Sequence, residues 1–175
     1  MSHIEKITGD LRALTTGVER ARGLTAAADN QAQEIALRAA AAGFAAVAAG
    51  MVRVRAALSG IQGGLGALAT SIGEATTATA AVPHEASAQE TIARLTPVQS
   101  AVGGARDAAA GVVAQVGEAQ QLVAVILRGG QPGAMLAAVE SIRQVLVLVV
   151  QRTGTARQSV EAAIAEARQL GSSGN

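Results

Sequence analysis

Two histidines, His3 and His84, are the side chains in this sequence best suited to bind a metal ion or to transfer a proton near neutral pH. His3 lies near the N-terminus, and His84 directly follows Pro83. Neither has a second ligand three or four residues away, where a helix would bring it onto the same face. The chain also lacks a Glu-x-x-His pair, the motif of di-iron helical bundles. The sequence therefore predicts no metal site.

The other candidates for chemistry are glycine-rich stretches, hydroxyl side chains and paired arginines. Neither glycine-rich stretch, 60–66 or 129–133, is followed by the Lys-Ser/Thr pair of a phosphate-binding loop. No Ser or Thr has a histidine at the spacing of a nucleophile and its base. Arg53 and Arg55 are two residues apart, so they do not share a helix face and are predicted to be solvated. We therefore predict that the protein is not an enzyme and binds no cofactor.

Composition limits the broad class of the protein. Hydrophobic residues make up 50% of the 175 residues, whereas aromatic residues make up 1% and charged residues 15%. The core must therefore consist of Ala, Val, Leu and Ile. The formal net charge of +1 argues against strong attraction to nucleic acid or to an anionic membrane. The absence of cysteine excludes disulfides and thiolate metal sites.

The sequence shows no targeting signal and no obvious membrane span. The first ten residues are polar and include acidic side chains, unlike a secretory signal peptide. The longest strongly apolar runs, 122–127 and 145–150, have six residues each, far fewer than the roughly 20 that cross a bilayer. We expect a soluble, cytoplasmic protein with no transmembrane segment. One lysine among fourteen basic residues suggests a high-GC genome, such as an actinobacterial one.

A heptad pattern is the strongest structural signal in the chain. From Phe44 to Val82, apolar residues recur at alternating intervals of three and four, which predicts one long helix with a narrow apolar seam. A dense apolar cluster over 145–150 predicts either the most buried segment or a place where a partner docks. These two regions supply the candidate interaction seam: Phe44, Met51, Val54, Leu58, Ile61, Leu65, Leu68, Ile72, Val145, Leu146 and Val149.

Three more stripes with the same spacing, over 4–42, 102–126 and 139–170, predict three further long helices. The fold class is therefore all-α, with four long antiparallel helices in two hairpins and coiled-coil-like packing. We predict one domain with this organisation: hairpin 1 over 1–82 with its turn near 43, a connector over 83–87, hairpin 2 over 88–170 with its turn at 128–133, and a flexible tail over 171–175.

The capping patterns and a glycine-rich stretch refine this prediction. Capping-box patterns begin at Ser2, Ser87 and Thr96, and the last of them suggests that a short helix is kinked into the next one at Pro97. Four glycines within residues 60–66 weaken the second helix. They indicate either close helix–helix contact or a hinge that forms a groove for a partner.

The turn Ala42-Gly43-Phe44 between two arms of about 40 residues resembles the small helical hairpins of the type VII secretion class (ESX, WXG-type). That family carries Trp-x-Gly at the turn and a tyrosine in its tail signal, and this chain has neither tryptophan nor tyrosine. The chain also resembles Ala-rich, all-helical actinobacterial proteins of no assigned function, in the segments 41–44, 50–55 and 130–133.

The functional prediction follows from the seams, since no motif specifies a reaction. We predict a non-catalytic helical scaffold that associates with a helical partner protein or with itself. The resemblance to the type VII class implies an alternative, a secreted substrate or partner of that system. A second alternative is a coat protein on granule or lipid surfaces, which would pack loosely in water. The narrow seams favour association over a coat, because interfacial helices carry a broader apolar face.

Overall fold

The computed structural model describes residues 2–173, of which 90% are helical and none are in strands. Four helices follow one another along the chain: α1 (His3–Ala41), α2 (Ala45–Ala80), α3 (Ala88–Ile126) and α4 (Gly133–Ser173). Their lengths are 39, 36, 39 and 41 residues, which correspond to rods of roughly 55–60 Å.

The helices form an antiparallel four-helix bundle. Within residues 2–173, α1 and α3 each pack against both α2 and α4, and neither diagonal pair is in contact. Both helix–helix turns, 42–44 and 127–132, therefore lie at one end of the bundle, and the connector over 81–87 lies at the other end. The predicted fold class is confirmed.

Buried residues recur every three or four positions along each helix, as the heptad stripes predicted. The core is built from Ala, Val, Leu, Ile and two methionines, Met51 and Met135. The buried hydroxyls of Thr25, Thr79 and Thr153 each donate to a carbonyl of their own helix, at 2.6–2.8 Å. Every buried side-chain N or O among the described residues has a hydrogen-bond partner.

Helix α1 begins at a complete capping box, and helix α3 begins at a serine N-cap that forms only the first half of the predicted box. Ser2 Oγ accepts a hydrogen bond from the Glu5 backbone N–H at 3.2 Å, and Glu5 Oε2 accepts one from the Ser2 N–H at 2.7 Å. The hydrogen bond that the Glu5 carboxylate accepts from the Ser2 backbone N–H, followed by its hydrogen bond with the Ser2 hydroxyl, lowers the pKa of Glu5. Ser87 Oγ likewise accepts from the Glu90 N–H at 3.2 Å.

The third capping pattern does not start a helix, so the prediction of a separate short helix before Pro97 is wrong. Helix α3 continues through Pro97, and the Thr96 hydroxyl donates to the Ile92 carbonyl one turn earlier, at 2.8 Å. Leu95 and Val98, on either side of Pro97, are fully buried. Their packing outweighs the lost hydrogen bond and steric clash of an interior proline.

Helix α4 also extends further than predicted, through Ser173. The tail expected over 171–175 is therefore helical as far as 173, and 174–175 lie outside the described residues. Two interactions account for the extension. The hydroxyls of Ser172 and Ser173 both donate to the Gln169 carbonyl at 2.9 Å. Gly171 lies against the start of α3, where a Cβ on it would be 3.4 Å from Ala88 Cβ.

The glycine-rich part of α2 is continuous helix, and only one of its glycines is tightly packed. A Cβ on Gly64 would lie 2.6 Å from Val112 Cγ2 on α3, closer than van der Waals contact allows. Gly63 and Gly66 have nothing within 4 Å of such a Cβ. The close-contact interpretation therefore holds for Gly64 and not for the whole stretch.

Candidate interaction surfaces

The candidate seam residues lie almost entirely inside the bundle. Ten of the eleven are buried in the core, each no more than 8% exposed, whereas Phe44 is 64% exposed. The residues of the heptad seams are therefore buried in contacts between the four helices of one chain. A partner would therefore have to contact mainly other residues, and Phe44 is the one predicted seam residue that is largely exposed.

Phe44 is exposed because of the turn in which it lies. Its N–H donates to the Ala39 carbonyl at 2.8 Å, and the Gly43 N–H donates to the Ala40 carbonyl at 3.1 Å. These two bonds form a Schellman motif, with Gly43 at φ +80° supplying the left-handed residue. Phe44 therefore follows the end of α1 rather than entering the α2 seam, contrary to the heptad prediction.

The two histidines, the best candidates for metal binding in the sequence, both lie at the end of the bundle opposite the two turns. His3 Nε2 lies 2.7 Å from Glu166 Oε2, which joins the start of α1 to the end of α4. His84 is exposed in the connector at the same end of the bundle. Across residues 2–173, no group of three or more His, Asp or Glu side chains is placed to hold a metal ion.

A bidentate ion pair crosses from α1 to α2. Arg55 Nε and Nη2 donate to the two carboxylate oxygens of Asp29 at 2.9 and 3.1 Å. The hydrogen bond to Asp29 and then its negative charge raise the pKa of Arg55. The Arg55 side chain is 40% exposed, so it is partly solvated as predicted and is also paired with Asp29. The sequence did not indicate this pair, because the partners are 26 residues apart and are brought together by the hairpin.

A groove of about 350 Å³ runs between α1 and α4, near the middle of the bundle. Its floor is apolar, and a Cβ on Gly17 would lie 2.8 Å from Val149 Cγ2, so the glycine lets the two helices approach closely. Arg20 and Arg152 are exposed at its rim, and neither has a carboxylate within 4.0 Å among the described residues. The complete lining is Ala13, Thr16, Gly17, Arg20, Val145, Leu148, Val149 and Arg152.

The apolar surface continues from this groove along α4. Leu148 is 54% exposed and Val147 is 38% exposed, although both lie in the middle of a long helix. They also line an adjoining shallow groove with Glu140, Arg143 and Gln144. We call this surface, Val147 and Leu148 together with the α1–α4 groove, the α4 face. The sequence predicted that 145–150 is either the most buried segment or a place where a partner docks. Only the solvent-accessible residues of this segment can contact a partner.

A third groove, of about 460 Å³, lies at the end of the bundle that carries the two turns. Ile35, Ala39 and Phe44 from the first hairpin face Gln131 and Ala134 from the second. Because residues next to both turns line the same groove, the two turns are adjacent in space.

Comparison with known proteins found a similarity in the second half of the chain. Residues 86–172, which comprise α3 and nearly all of α4, match the model of a family of unknown function, DUF6244. Searches of curated proteins and of solved structures each found no match. The family match supports the prediction of an uncharacterised helical family and assigns no chemistry.

Two helices, α3 and α4, are long and apolar enough to cross a membrane by length and composition alone. In this bundle both are core helices that pack against two neighbours each. Buried helices of soluble proteins commonly reach the same apolar content, so this feature is weak support for a membrane span.

Proposed function

We propose that the protein is a non-catalytic helical scaffold that binds a helix of another protein, or of a second copy of itself, on the α4 face. The observation that carries the proposal is the α1–α4 groove, where an apolar floor is flanked by two exposed arginines. Its floor suits the apolar stripe of a helix, which packs ridges into such grooves.

Charge indicates which helices would fit this groove. Arg20 and Arg152 would face carboxylates on the incoming helix, since no carboxylate lines the groove. Rim charges of this kind select the partner and speed association more than they add affinity. The proposed partner is therefore an amphipathic helix with acidic residues beside its apolar stripe.

The first experiment measures self-association. Multi-angle light scattering of the full chain over a range of concentrations should show either a defined oligomer or a monomer. An oligomer that Leu148→Arg dissociates, and that Ala114→Arg on the exposed side of α3 leaves intact, would support association with a second copy. An oligomer that resists Leu148→Arg would contradict use of the α4 face.

The second experiment covers a different partner protein. A photo-crosslinking residue at position 148 is compared in cells with the same residue at the exposed position 114. The proposal expects crosslinks to an acidic helical segment from position 148 alone. A monomer at every concentration, with no crosslink from position 148 above the control, would contradict the proposal.

A further inference from the structure

The two arginines beside the α1–α4 groove come from different helices, so their spacing depends on how α1 and α4 are aligned. Two contacts between the helices fix this alignment. Ser159 Oγ donates to Asp10 Oδ2 at 2.8 Å, and His3 Nε2 lies 2.7 Å from Glu166 Oε2. Because α1 and α4 are antiparallel, residues later in α1 lie level with residues earlier in α4.

This alignment gives the axial distance between Arg20 and Arg152. Arg20 is ten residues after Asp10, so it is level with Val149, which is ten residues before Ser159. Arg152 is three residues after Val149, which corresponds to an offset of roughly 5 Å. The close approach of residue 17 to Val149 gives an offset of six residues, or roughly 9 Å. The two arginines are therefore roughly 5–9 Å apart along the bundle axis.

The charges of both arginines are available to a partner. In the part of the chain that the structure describes, no Asp or Glu lines the groove, and neither arginine has a carboxylate within 4.0 Å. Glu19 precedes Arg20, but consecutive residues are about 100° apart around a helix, and Glu19 is not in the groove lining. Asp10 is roughly 10–15 Å away along the axis and already accepts a hydrogen bond from Ser159.

The positions of these side chains specify what an incoming helix must carry, given the proposed function, on which this step rests. Leu148 on α4 and Arg20 on α1 line opposite sides of the groove at a similar height. A helix in the groove therefore needs an apolar side chain towards Leu148 and a carboxylate towards Arg20. A second carboxylate, for Arg152, belongs about one turn further along. Residues three or four apart on a helix are neighbours on one face and have this spacing.

A second copy of this chain does not supply such a helix. Among its 13 Asp and Glu residues, no two are three, four or seven residues apart, and the closest are five apart. Residues five apart are about 140° apart around a helix and do not share a face. A symmetric dimer centred on Leu148 would also bring the arginines of one copy against those of the other, which is unfavourable.

We infer that the α4 face binds a helix of a different protein, and that this helix carries two carboxylates three or four residues apart beside its apolar stripe. The stripe covers Leu148, and the carboxylates meet Arg20 and Arg152. Carboxylates at another spacing pair with one arginine and leave the other in solvent. The acidic pair therefore selects the partner, as charges at the rim of an interface commonly do.

The test compares three synthetic helical peptides of about 20 residues, roughly 30 Å long, for binding to the full chain by fluorescence anisotropy. All three have the same apolar stripe. The first has two glutamates four residues apart beside it, the second has them five apart, and the third has glutamine in place of both. The first should bind about two- to fivefold more tightly than the second and roughly tenfold more tightly than the third, since each exposed ion pair contributes about two- to fivefold. This advantage should decrease at high salt.

Substitutions in the full chain test which arginines are responsible. Arg20→Gln and Arg152→Gln should each weaken binding of the first peptide about two- to fivefold and leave binding of the third unchanged. Arg22→Gln is the matched control, because Arg22 is exposed on the same helix but does not line the groove. It should bind all three peptides like the unaltered protein, and circular dichroism should show that every variant is folded.

The outcomes separate this inference from the proposed function. Equal binding of all three peptides, abolished by Leu148→Arg, would overturn the inference and leave the proposed function standing. A dimer of the full chain that Leu148→Arg dissociates would do the same, because a second copy would then occupy the α4 face. If none of the peptides binds, the inference is overturned, and crosslinking from position 148 still decides the proposed function.

Discussion

Replacing Gly64 or its neighbour Gly63 with alanine tests how closely α2 and α3 are packed. Both glycines lie in the interior of α2, so each substitution gains the same intrinsic helix propensity, about 0.8–1.0 kcal/mol. At Gly63 nothing lies within 4 Å of the new Cβ, so the full gain should appear. The free energy of unfolding of Gly63→Ala should therefore rise by roughly 0.5–1 kcal/mol.

At Gly64 the same gain is opposed by a clash. The new Cβ would lie 2.6 Å from Val112 Cγ2 and 3.0 Å from Gln115 Oε1. Val112 is 1% exposed and β-branched, so its χ1 cannot move away freely. Inserting a methyl group into such a contact costs about 1–3 kcal/mol. We expect Gly64→Ala to be less stable than Gly63→Ala by about that amount.

The assay is urea unfolding followed by far-ultraviolet circular dichroism, since the chain has no tryptophan or tyrosine for fluorescence. A double-mutant cycle separates the clash from other effects. In a Val112→Ala background the clashing atom is absent, so Gly64→Ala should become stabilising. If Gly64→Ala stabilises the unaltered protein as much as Gly63→Ala does, the inferred closeness of α2 and α3 is refuted.

Three further substitutions test the first turn, the proline inside α3 and the start of α1 by the same unfolding assay. Gly43→Ala should lower the free energy of unfolding by about 1–2 kcal/mol because φ is +80° there, whereas no change would argue against the left-handed turn. Pro97→Ala should raise it by about 1–3 kcal/mol, since an exposed proline inside α3 lacks the N–H that would complete the helix hydrogen bonds, and a loss would show that the proline is needed. Ser2→Ala should lower it by about 1 kcal/mol at neutral pH through loss of the N-cap. Because the folded-state pKa of Glu5 is lowered, the capping-box contribution is complete above its unfolded pKa, near 4.3, and is lost as the pH falls through the lower folded value. Glu5→Ala removes the carboxylate itself, and a difference between Glu5→Ala and the unaltered protein that is constant down to acidic pH would contradict this role of Glu5.

Periodicity predicted the helices and the core because burial on a helix face imposes a repeat that the sequence records directly. Leu58, Ile61 and Leu65, for example, fall on the predicted seam and are fully buried. Pro97 was misjudged because local propensity was weighed without the tertiary packing of its neighbours. Phe44 was misjudged because it was taken as the first residue of the repeat over 44–82, whereas it lies in the Schellman turn before α2 begins at Ala45.

Side-chain contacts between different helices could not be predicted from periodicity. Asp29 meets Arg55, and His3 meets Glu166, only because antiparallel helices are aligned at particular heights. A heptad repeat fixes which side of a helix faces the core, but it does not fix the axial offset between neighbouring helices. Grooves such as the one beside Gly17 depend on that offset and on which side chains are small at the crossing.

The same distinction separates residues that stabilise the bundle from residues available for function. Substituting a fully buried leucine such as Leu58 with alanine would remove core contacts worth about 2–5 kcal/mol. Phe44 and Leu148 are more than half exposed. Folding therefore removes little of their apolar surface from water, and their contribution to stability is small. Shielding the exposed part of the Leu148 side chain from water would therefore supply free energy to the binding of the helix proposed above as the partner.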